Sequence, residues 1–239
     1  MERGFKRGDL RPRYDVDRID EDEWHTYEGE RVLALMAKYL PDSNPLSVWL
    51  VNAGAGVYRI GLGKWREIAM DLFTTPIGGR QYAVCGNIER LPFQPHSLGA
   101  IVCVGEVLGY CDPAKVLAGF AQALVPSGYL IFDFSSSRSP RYWFREPYAK
   151  AANLVTDTYN GTPEKTWVYS PEYVEGILSA LGFRISSRTA INTWSSLAKR
   201  FQAGNSTALF IERKLKWLPP PATWADLMMI AAEASGISR

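Results

Sequence analysis

The chain has 239 residues, 46% of them apolar, and a formal net charge of +2. This length and composition allow one or two globular domains with a well-filled core. The small net charge argues against nucleic-acid binding, and no apolar run approaches the ~18 residues of a membrane-spanning helix. The polar start is unlike a secretory signal, and the three cysteines lack metal-ligand spacing. We therefore expect a cytoplasmic protein with reduced thiols, no bound metal, and no nucleic-acid or membrane partner.

The first forty residues divide into a tail and a helix. Residues 1–20 are polar, and we expect a loosely ordered tail. Between residues 20 and 40 the apolar side chains follow helical spacing, which ends at Pro41. We place the main domain at residues 21–214 and a separate C-terminal segment at residues 215–239.

An apolar stretch at residues 48–57 ends in a turn that carries Gly54 and Gly56. It predicts a buried parallel strand whose exit lets the backbone approach a ligand closely. Residues 66–71 predict a second strand that ends in Asp71. Because a carboxylate can accept hydrogen bonds from both hydroxyls of a ribose, this region predicts the nucleoside-binding half of an open α/β sheet.

The glycine spacing argues against a dinucleotide. A nicotinamide fingerprint needs a third glycine three positions after the second, and that position holds Arg59. The chain also lacks a glycine-rich loop that ends in Lys-Ser or Lys-Thr, so a P-loop is excluded. The identity of the nucleoside ligand must therefore be inferred from the motifs that follow.

Three further segments continue the pattern of strands followed by turns. Residues 85–93 read Cys-Gly-Asn-Ile-Glu-Arg-Leu-Pro-Phe, and residues 97–113 hold an apolar strand followed by Gly105, Glu106 and an Asp-Pro pair. Residues 125–134 read Val-Pro-Ser-Gly and then another apolar strand. In order, spacing and residue type, the set resembles the class I S-adenosylmethionine-dependent methyltransferases. It is closest to the small-molecule branch that carries a Leu-Pro-Phe motif.

The resemblance implies a Rossmann-like α/β fold with a seven-stranded, mostly parallel sheet whose last strand is antiparallel. It implies S-adenosylmethionine as the cofactor, with Asp71 on the ribose and Asn87 on the adenine amino group. The turn from Gly54 to Gly56 would run under the methionine part, near Gly105. The implied cofactor-binding residues are Asn52, Ala53, Gly54, Gly56, Asp71, Leu72, Asn87, Ile88 and Gly105.

The first motif of the family is degenerate in this chain. Asn52 stands where the family has an acid, Tyr58 replaces the third glycine, and Asn87 replaces a second acid. An amide carbonyl at Asn87 can still accept a hydrogen bond, although without charge assistance. The link between residues 71 and 82 is short, so we expect its crossover helix to be missing or a single turn.

Beyond residue 112 the sequence predicts two helices and, later, two strands. One helix begins after Asp112, and a second begins at Ser170-Pro171 and ends at Gly182. Residues 183–191 and 207–213 predict the closing strands of the sheet.

Residues 135–169 form the predicted substrate region because they leave the carboxyl edge of the sheet. They predict a hairpin around Asn160-Gly161, with Pro163 indicating a connection longer than two residues. The hairpin is either a cap over the acceptor or a surface cover for the sheet. The candidate substrate residues are Tyr27, Arg138, Trp143 and Trp167.

The C-terminal segment predicts a proline-rich spacer at residues 217–221 and a short helix within residues 222–235. That helix would dock on its own domain, on a partner, or on a second copy of the chain.

No residue stands out as a catalytic base, since His25 and His96 are the only histidines and neither lies in a persuasive position. Glu106 is either a neighbour of the cofactor or a favourable charge at the start of a helical turn. The sequence predicts methyl transfer to a small-molecule or small glycan acceptor. The alternative is a weakened methyltransferase-fold protein that acts as a binding or regulatory subunit through its C-terminal helix.

Overall fold

The computed structural model describes residues 23–41, 49–54, 65–159, 162–215, 217–218 and 224–235. The predicted tail at residues 1–20, together with Gly56, Tyr58 and Arg59, lies outside this part of the chain. The helices of the described part are α1 (Glu23–Tyr39), α2 (Pro113–Ala123), α3 (Pro171–Ala180), α4 (Thr193–Arg200) and α5 (Asn205–Leu215). The strands are β1 (Trp49–Ala53), β2 (Arg66–Asp71), β3 (Ala83–Cys85), β4 (Leu98–Cys103), β5 (Leu124–Ser135), β6 (Ala152–Tyr159), β7 (Thr162–Tyr169), β8 (Phe183–Ile191) and β9 (Leu227–Ala234).

Seven of the strands form one sheet in the order β3-β2-β1-β4-β5-β9-β8. The pairs among β1 to β5 are parallel, whereas β9 is antiparallel to both β5 and β8. The predicted mostly parallel sheet with an antiparallel last strand is confirmed. Since β9 runs against its neighbours, its first residue pairs with the last residues of β5 and β8, at the carboxyl edge of the sheet.

Helices cover both faces of this sheet. Val32 and Met36 of α1, with Leu40 just after the helix, pack on one face, and α2 and α3 pack on the other. Asp112 accepts from two backbone N–H groups at the start of α2, and Ser170 caps α3. Both predicted helices are confirmed, and their caps are the Asp and Ser residues that helix N-termini favour.

The predicted C-terminal helix is wrong, because residues 227–234 form the strand β9. Met228, Ile230 and Ala232 face the core with α2 and α3, while Leu227, Met229 and Ala231 face the core with α1. A strand inside a doubly covered sheet is apolar on both faces, so its sequence loses the alternation that distinguishes strands. Residues of high helix propensity therefore occur in a strand, since burial outweighs propensity here.

The predicted strand at residues 207–213 is also wrong, because these residues lie within α5. The short run Ala208 to Ile211 is apolar enough for either structure. Its buried side chains are Ala208, Leu209 and Glu212, which is the spacing of a helix face. Glu212 accepts from the Arg31 guanidinium at 3.0 Å and from the Ser195 backbone N–H at 3.0 Å, so it joins α1, α4 and α5.

Two shorter features complete the fold. The link after β2 holds only the 3₁₀ turn Thr75–Ile77, as predicted. Strands β6 and β7 form the predicted hairpin, but their pairing continues to Tyr159 and Thr162, so the expected longer connection is wrong. In the described residues no helix is both long and apolar enough to span a membrane.

Candidate functional site

The predicted cofactor residues lie where neighbouring parallel strands end. Asn52 and Ala53 are the last residues of β1, and Gly54 follows with φ +72°. A Cβ atom at Gly54 would lie 2.5 Å from Val107 Cγ2, a separation that real side chains do not adopt. Glycine is therefore required at position 54 for its backbone conformation and for the close approach of the turn after β4.

Asn52, which replaces the family's acid, is buried and donates from Nδ2 to Glu67 Oε1 at 3.1 Å. Glu67 also lies 3.7 Å from the Arg80 guanidinium. The amide at the end of β1 is thus linked to a charged pair on and after β2. An aspartate at position 52 would place two carboxylates side by side, which explains why an amide suits this position.

Asp71 ends β2, is buried, and accepts from the Phe73 backbone N–H at 3.0 Å. This hydrogen bond fixes the first turn after the strand. Leu72 lies in that turn, and its carbonyl accepts from the Cys85 thiol at 3.3 Å. The carboxylate, Leu72 and the end of β3 consequently meet at the carboxyl edge.

Asn87 follows β3 and is exposed. Its Oδ1 accepts from the Glu89 backbone N–H at 2.8 Å and caps the 3₁₀ turn Ile88–Arg90. A carbonyl oxygen has two lone pairs, so this cap leaves room for a second donor. Ile88 is buried in the core and anchors the turn from below.

The exit of β4 is held by a buried acid of β5. Gly105 and Glu106 have φ values of +89° and +61°, and their N–H groups donate to Asp133 at 3.0 and 2.8 Å. Burial raises the pKa of Asp133 to about 7, and the Glu106 charge adds to the increase. The two backbone hydrogen bonds act in the opposite direction, since they favour the ionised form.

A group of four acids lies beside this exit, and we name Glu28, Glu106, Asp133 and Asp226 the carboxylate cluster. Burial, together with the charges of the other three acids, raises the pKa of Glu28 to about 8. Asn192, whose φ is +61°, donates from Nδ2 to Glu28 Oε2 and lowers the pKa. The cluster thus joins α1, the exit of β4, β5 and the start of β9, and Asn192 links it to the exit of β8.

Arg141 neutralises the outer side of the cluster. Its Nε lies 3.1 Å from Asp226 Oδ1, and its NH1 donates to Asp157 at 3.0 Å. Ser139 also donates to Asp226 Oδ1, at 2.8 Å. Trp143 packs edge-on against Trp224 with ring centroids 4.5 Å apart, and the two indoles lie two positions along the chain from Arg141 and Asp226.

The hairpin covers the turn after β4. Tyr110 donates to Glu164 at 2.8 Å, and Tyr169 donates to the Cys111 carbonyl at 3.0 Å. A Cβ atom at Gly109 would lie 2.4 Å from Thr166 Oγ1, so the two segments touch directly. Trp167 is half-buried against the same core. The hairpin is therefore docked as a cover, and its role towards an acceptor stays a prediction.

The remaining predicted substrate residues, Arg138, Tyr27 and Trp143, lie in three different places. Arg138 pairs with Glu172 of α3 at 2.8 Å on the surface. Tyr27 packs with α4 and α5, and the Arg31 and Arg213 guanidinium groups lie 5.9 and 5.5 Å from its ring centroid. Trp143 packs against Trp224, which precedes Asp226 of the carboxylate cluster by two residues.

His96 lies just before β4, at the edge of the sheet opposite the site. Its Nδ1 is 3.0 Å from the Leu124 carbonyl oxygen. The His25 side chain is outside the described part of the structure. The site residues that the sequence did not reveal are Glu28, Asp133, Asn192 and Asp226. They lie far apart in the chain, and no local motif marks them.

Residues 54–132 match the family model described as a methyltransferase domain. The fold is similar to that of a Listeria monocytogenes protein assigned as an S-adenosylmethionine-dependent methyltransferase, with a TM-score of 0.62 and 14% identity over 86% of this chain and 98% of that one. It is also similar to geranyl diphosphate C-methyltransferase from Streptomyces coelicolor A3(2), with a TM-score of 0.59 and 14% identity over 93% of this chain and 87% of that one.

The [4+2]-cyclase SpnF shares the fold as well, with a TM-score of 0.57 and 14% identity over 92% of this chain and 85% of that one. No curated protein matches the chain by sequence. The fold is therefore the Rossmann-like class I methyltransferase fold, and within it residues 54–132 are similar in sequence to a methyltransferase domain. The likeness to SpnF shows that the reaction has to be argued from the site.

Proposed function

We propose that the protein transfers the methyl group of S-adenosylmethionine to a small-molecule acceptor. The observation that carries this proposal is the arrangement at the ends of four adjacent strands. Gly54, Asp71, Asn87 and Gly105 follow or end β1, β2, β3 and β4 at one edge of the sheet. Open α/β sheets bind their ligands at this edge.

The residues present suit an adenosine ligand. Asp71 would accept from the ribose hydroxyls, and Asn87 Oδ1 would accept from the adenine amino group. Gly54 offers a backbone without a side chain where the methionine part would pass, as Gly105 does at the neighbouring strand end. The structure of the Streptomyces coelicolor relative contains S-adenosyl-L-homocysteine, which supports this choice of ligand.

S-adenosylmethionine supplies a methyl group on a sulfonium, which already has a good leaving group. The protein then has to align a nucleophile and exclude water, and such alignment can supply roughly 7–11 kcal/mol of barrier reduction. The docked hairpin and α1 shield the region beside Gly105 and Glu106. The acceptor would lie there, between the cofactor residues and the carboxylate cluster.

The alternative function, a regulatory subunit, requires a C-terminal helix that docks on a partner. Residues 227–234 instead form the strand β9 inside the sheet, so this segment is not a docking helix. The expectation of a partner or second copy at this helix loses its basis for the same reason.

Calorimetric titration with S-adenosylhomocysteine tests the cofactor proposal, with NAD as the control ligand. Wild-type protein should bind S-adenosylhomocysteine and not NAD. Asp71→Ala should lower the affinity at least about tenfold, because it removes charge-assisted hydrogen bonds. The matched control is Glu233→Ala, which removes a carboxylate paired with Arg184 at the opposite edge and should leave the affinity unchanged. Equal affinities in all three proteins would refute the assignment of Asp71.

A further inference from the structure

The carboxylate cluster brings four acids together, and the charges of Glu106, Asp133 and Asp226 all act on Glu28. The Arg141 guanidinium pairs with Asp226 and with Asp157 of the hairpin. Glu28, by contrast, receives its hydrogen bond from the uncharged amide of Asn192. The inner side of the cluster is therefore an environment that favours a positive charge.

Asn192 supplies a second and independent sign of a ligand. Only 2% of this residue is exposed, and its Oδ1 is buried without a hydrogen-bond partner in the described structure. An unsatisfied buried acceptor costs about 1–3 kcal/mol. The amide is fixed by its donation to Glu28, so its free oxygen lies beside the cluster. The missing partner is consequently a hydrogen-bond donor.

A ligand that suits both observations is a cation with N–H groups. An ammonium group has several donors and no acceptor, so it can serve a carboxylate and an amide oxygen at once. In the described residues no three His, Cys, Asp or Glu side chains converge in a way that could hold a metal ion.

We propose, building on the methyl-transfer function above, that Glu28 and Asn192 bind the ammonium group of an amine acceptor and that Glu28 removes its proton. The location supports this reading. Asp133 contacts Glu28 electrostatically and holds the Gly105 and Glu106 turn, which is the part of the site assigned to the methionine end of the cofactor. The amine would therefore lie beside the methyl group.

The step balances as follows. The ammonium gives one proton to the Glu28 carboxylate, which leaves a neutral amine with a lone pair. The nitrogen then forms a bond to the methyl carbon while the carbon–sulfur bond breaks and its electron pair stays on sulfur. The product is a methylated ammonium ion with S-adenosylhomocysteine, and Glu28 returns its proton to solvent. Its raised pKa, about 8, suits a base that exchanges protons near neutral pH.

The test measures binding to protein saturated with S-adenosylhomocysteine. The probes are 2-phenylethylamine, 2-phenylethanol and phenylacetate, which share a ring suited to the Trp143–Trp224 border and differ in charge. At pH 8.5 the amine should bind at least about tenfold more tightly than the other two. The affinity for the amine should rise between pH 6 and pH 9 as Glu28 ionises, with Glu106, Asp133 and Asp226 as the acids that face it.

Glu28→Gln preserves the shape and removes the charge. It should lower the affinity for the amine at least about tenfold, abolish the rise with pH, and leave the affinity for S-adenosylhomocysteine unchanged. Formation of N-methyl-2-phenylethylamine should slow by roughly 10²–10⁴-fold. Asn192→Gly keeps a residue that tolerates the positive φ and removes the amide oxygen, so it should also weaken amine binding.

Glu175→Gln is the control, since Glu175 is a carboxylate on α3 that pairs with Arg188 on the surface. It should change none of these values. Wild-type protein that binds S-adenosylhomocysteine but shows no preference for the amine, or binds none of the probes, would overturn the proposal. So would a Glu28→Gln protein with unchanged amine affinity. Failure to bind S-adenosylhomocysteine at all would instead contradict the proposed function.

Discussion

The two halves of the sheet edge differ in how they are built. The half formed by β1, β2, β3 and β4 presents backbone turns with the side chains of Asp71, Asn52 and Asn87. The half formed by β5, β9 and β8 gathers the carboxylate cluster with Arg141 and two indoles. The first half suits a nucleoside, which is recognised by directed hydrogen bonds. The second suits a charged acceptor, because burial and like charges there set the protonation state.

The halves meet at the turn after β4. Val107 packs on Gly54 from the first half, and Asp133 from the second holds Gly105 and Glu106. If the proposed cofactor and acceptor sites are right, this shared turn would couple the position of the cofactor to the chemistry of the acceptor side. Variants on either side of this turn should therefore affect the two halves separately.

Gly54→Ala should have the largest effect, because it disrupts the contact between Gly54 and the turn after β4. The new Cβ would lie 2.5 Å from Val107 Cγ2 on a backbone with φ +72°. Such a backbone conformation alone costs a non-glycine residue about 1–3 kcal/mol, and each kcal/mol lowers the melting temperature by roughly 2–4 °C in a domain of this size. Calorimetry should show a lower melting temperature and at least tenfold weaker S-adenosylhomocysteine binding. A tenfold loss of affinity corresponds in free energy to about one hydrogen bond.

Gly176→Ala serves as the control for that change. A Cβ at Gly176 meets no atom within 4 Å, and alanine favours the helix α3. This variant should be as stable as wild type or more stable, by up to about 1 kcal/mol. Equal behaviour of the two variants would show that Gly54 is not a close-contact position.

The pH dependence of stability should report on the acceptor half, where Glu28 lies. The pKa of Glu28 rises from 4.5 to about 8 on folding, so the protonated form stabilises the fold and this contribution is lost between those pH values. Asp133 follows the same direction up to about pH 7 in both proteins. Glu28→Gln should match wild type at pH 4.5 and melt several degrees higher at pH 8.5 in the absence of ligand, at roughly 2–4 °C per kcal/mol.

Addition of 2-phenylethylamine at pH 8.5 should raise the melting temperature of wild type and not of Glu28→Gln. Parallel pH profiles of the two proteins would argue against an unfavourable buried charge at position 28.

Asn87 probes the adenine end with a smaller effect. Asn87→Asp should keep or strengthen S-adenosylhomocysteine binding because it restores an ionised acceptor. Asn87→Leu should weaken binding by several-fold and also remove the cap on Glu89, which is worth about 1 kcal/mol. Asn87→Ser can keep the cap with a shorter side chain, so it isolates the contact with adenine. Equal affinity in all four proteins would place the adenine elsewhere.

The histidines should matter least. His96 lies at the edge of the sheet away from the site and faces the Leu124 carbonyl. Replacing His25 and His96 together with Gln should lower turnover by less than about tenfold, below the usual contribution of a general base. A loss of a thousandfold with intact cofactor binding would identify a histidine base and exclude Glu28 from that role.

The sequence predicted the nucleoside half well because its parts are contiguous. Each strand from β1 to β5 ends beside its own turn, so local patterns predicted Asp71, Asn87 and Gly105 at strand ends, where the structure has them. Their contacts with a cofactor stay predictions. The short link after β2 also followed from its length.

The acceptor half could not be predicted in the same way. Glu28, Asp133, Asn192 and Asp226 become neighbours only through the antiparallel insertion of β9 between β5 and β8. That insertion was hidden, because the apolar residues of β9 suit a buried helix equally well. The reversed assignments of α5 and β9 have one cause, since a short apolar run does not reveal its period.

A crystal structure of the complex with S-adenosylhomocysteine would locate the ligand along the whole sheet edge. We expect the ribose hydroxyls within hydrogen-bond distance of Asp71 and the adenine beside Asn87. We expect the sulfur beside Gly105, facing Glu28 across the carboxylate cluster. A ligand bound with its ribose away from Asp71, or with its sulfur turned away from Glu28, would contradict the division of the sheet edge into a nucleoside half and an acceptor half.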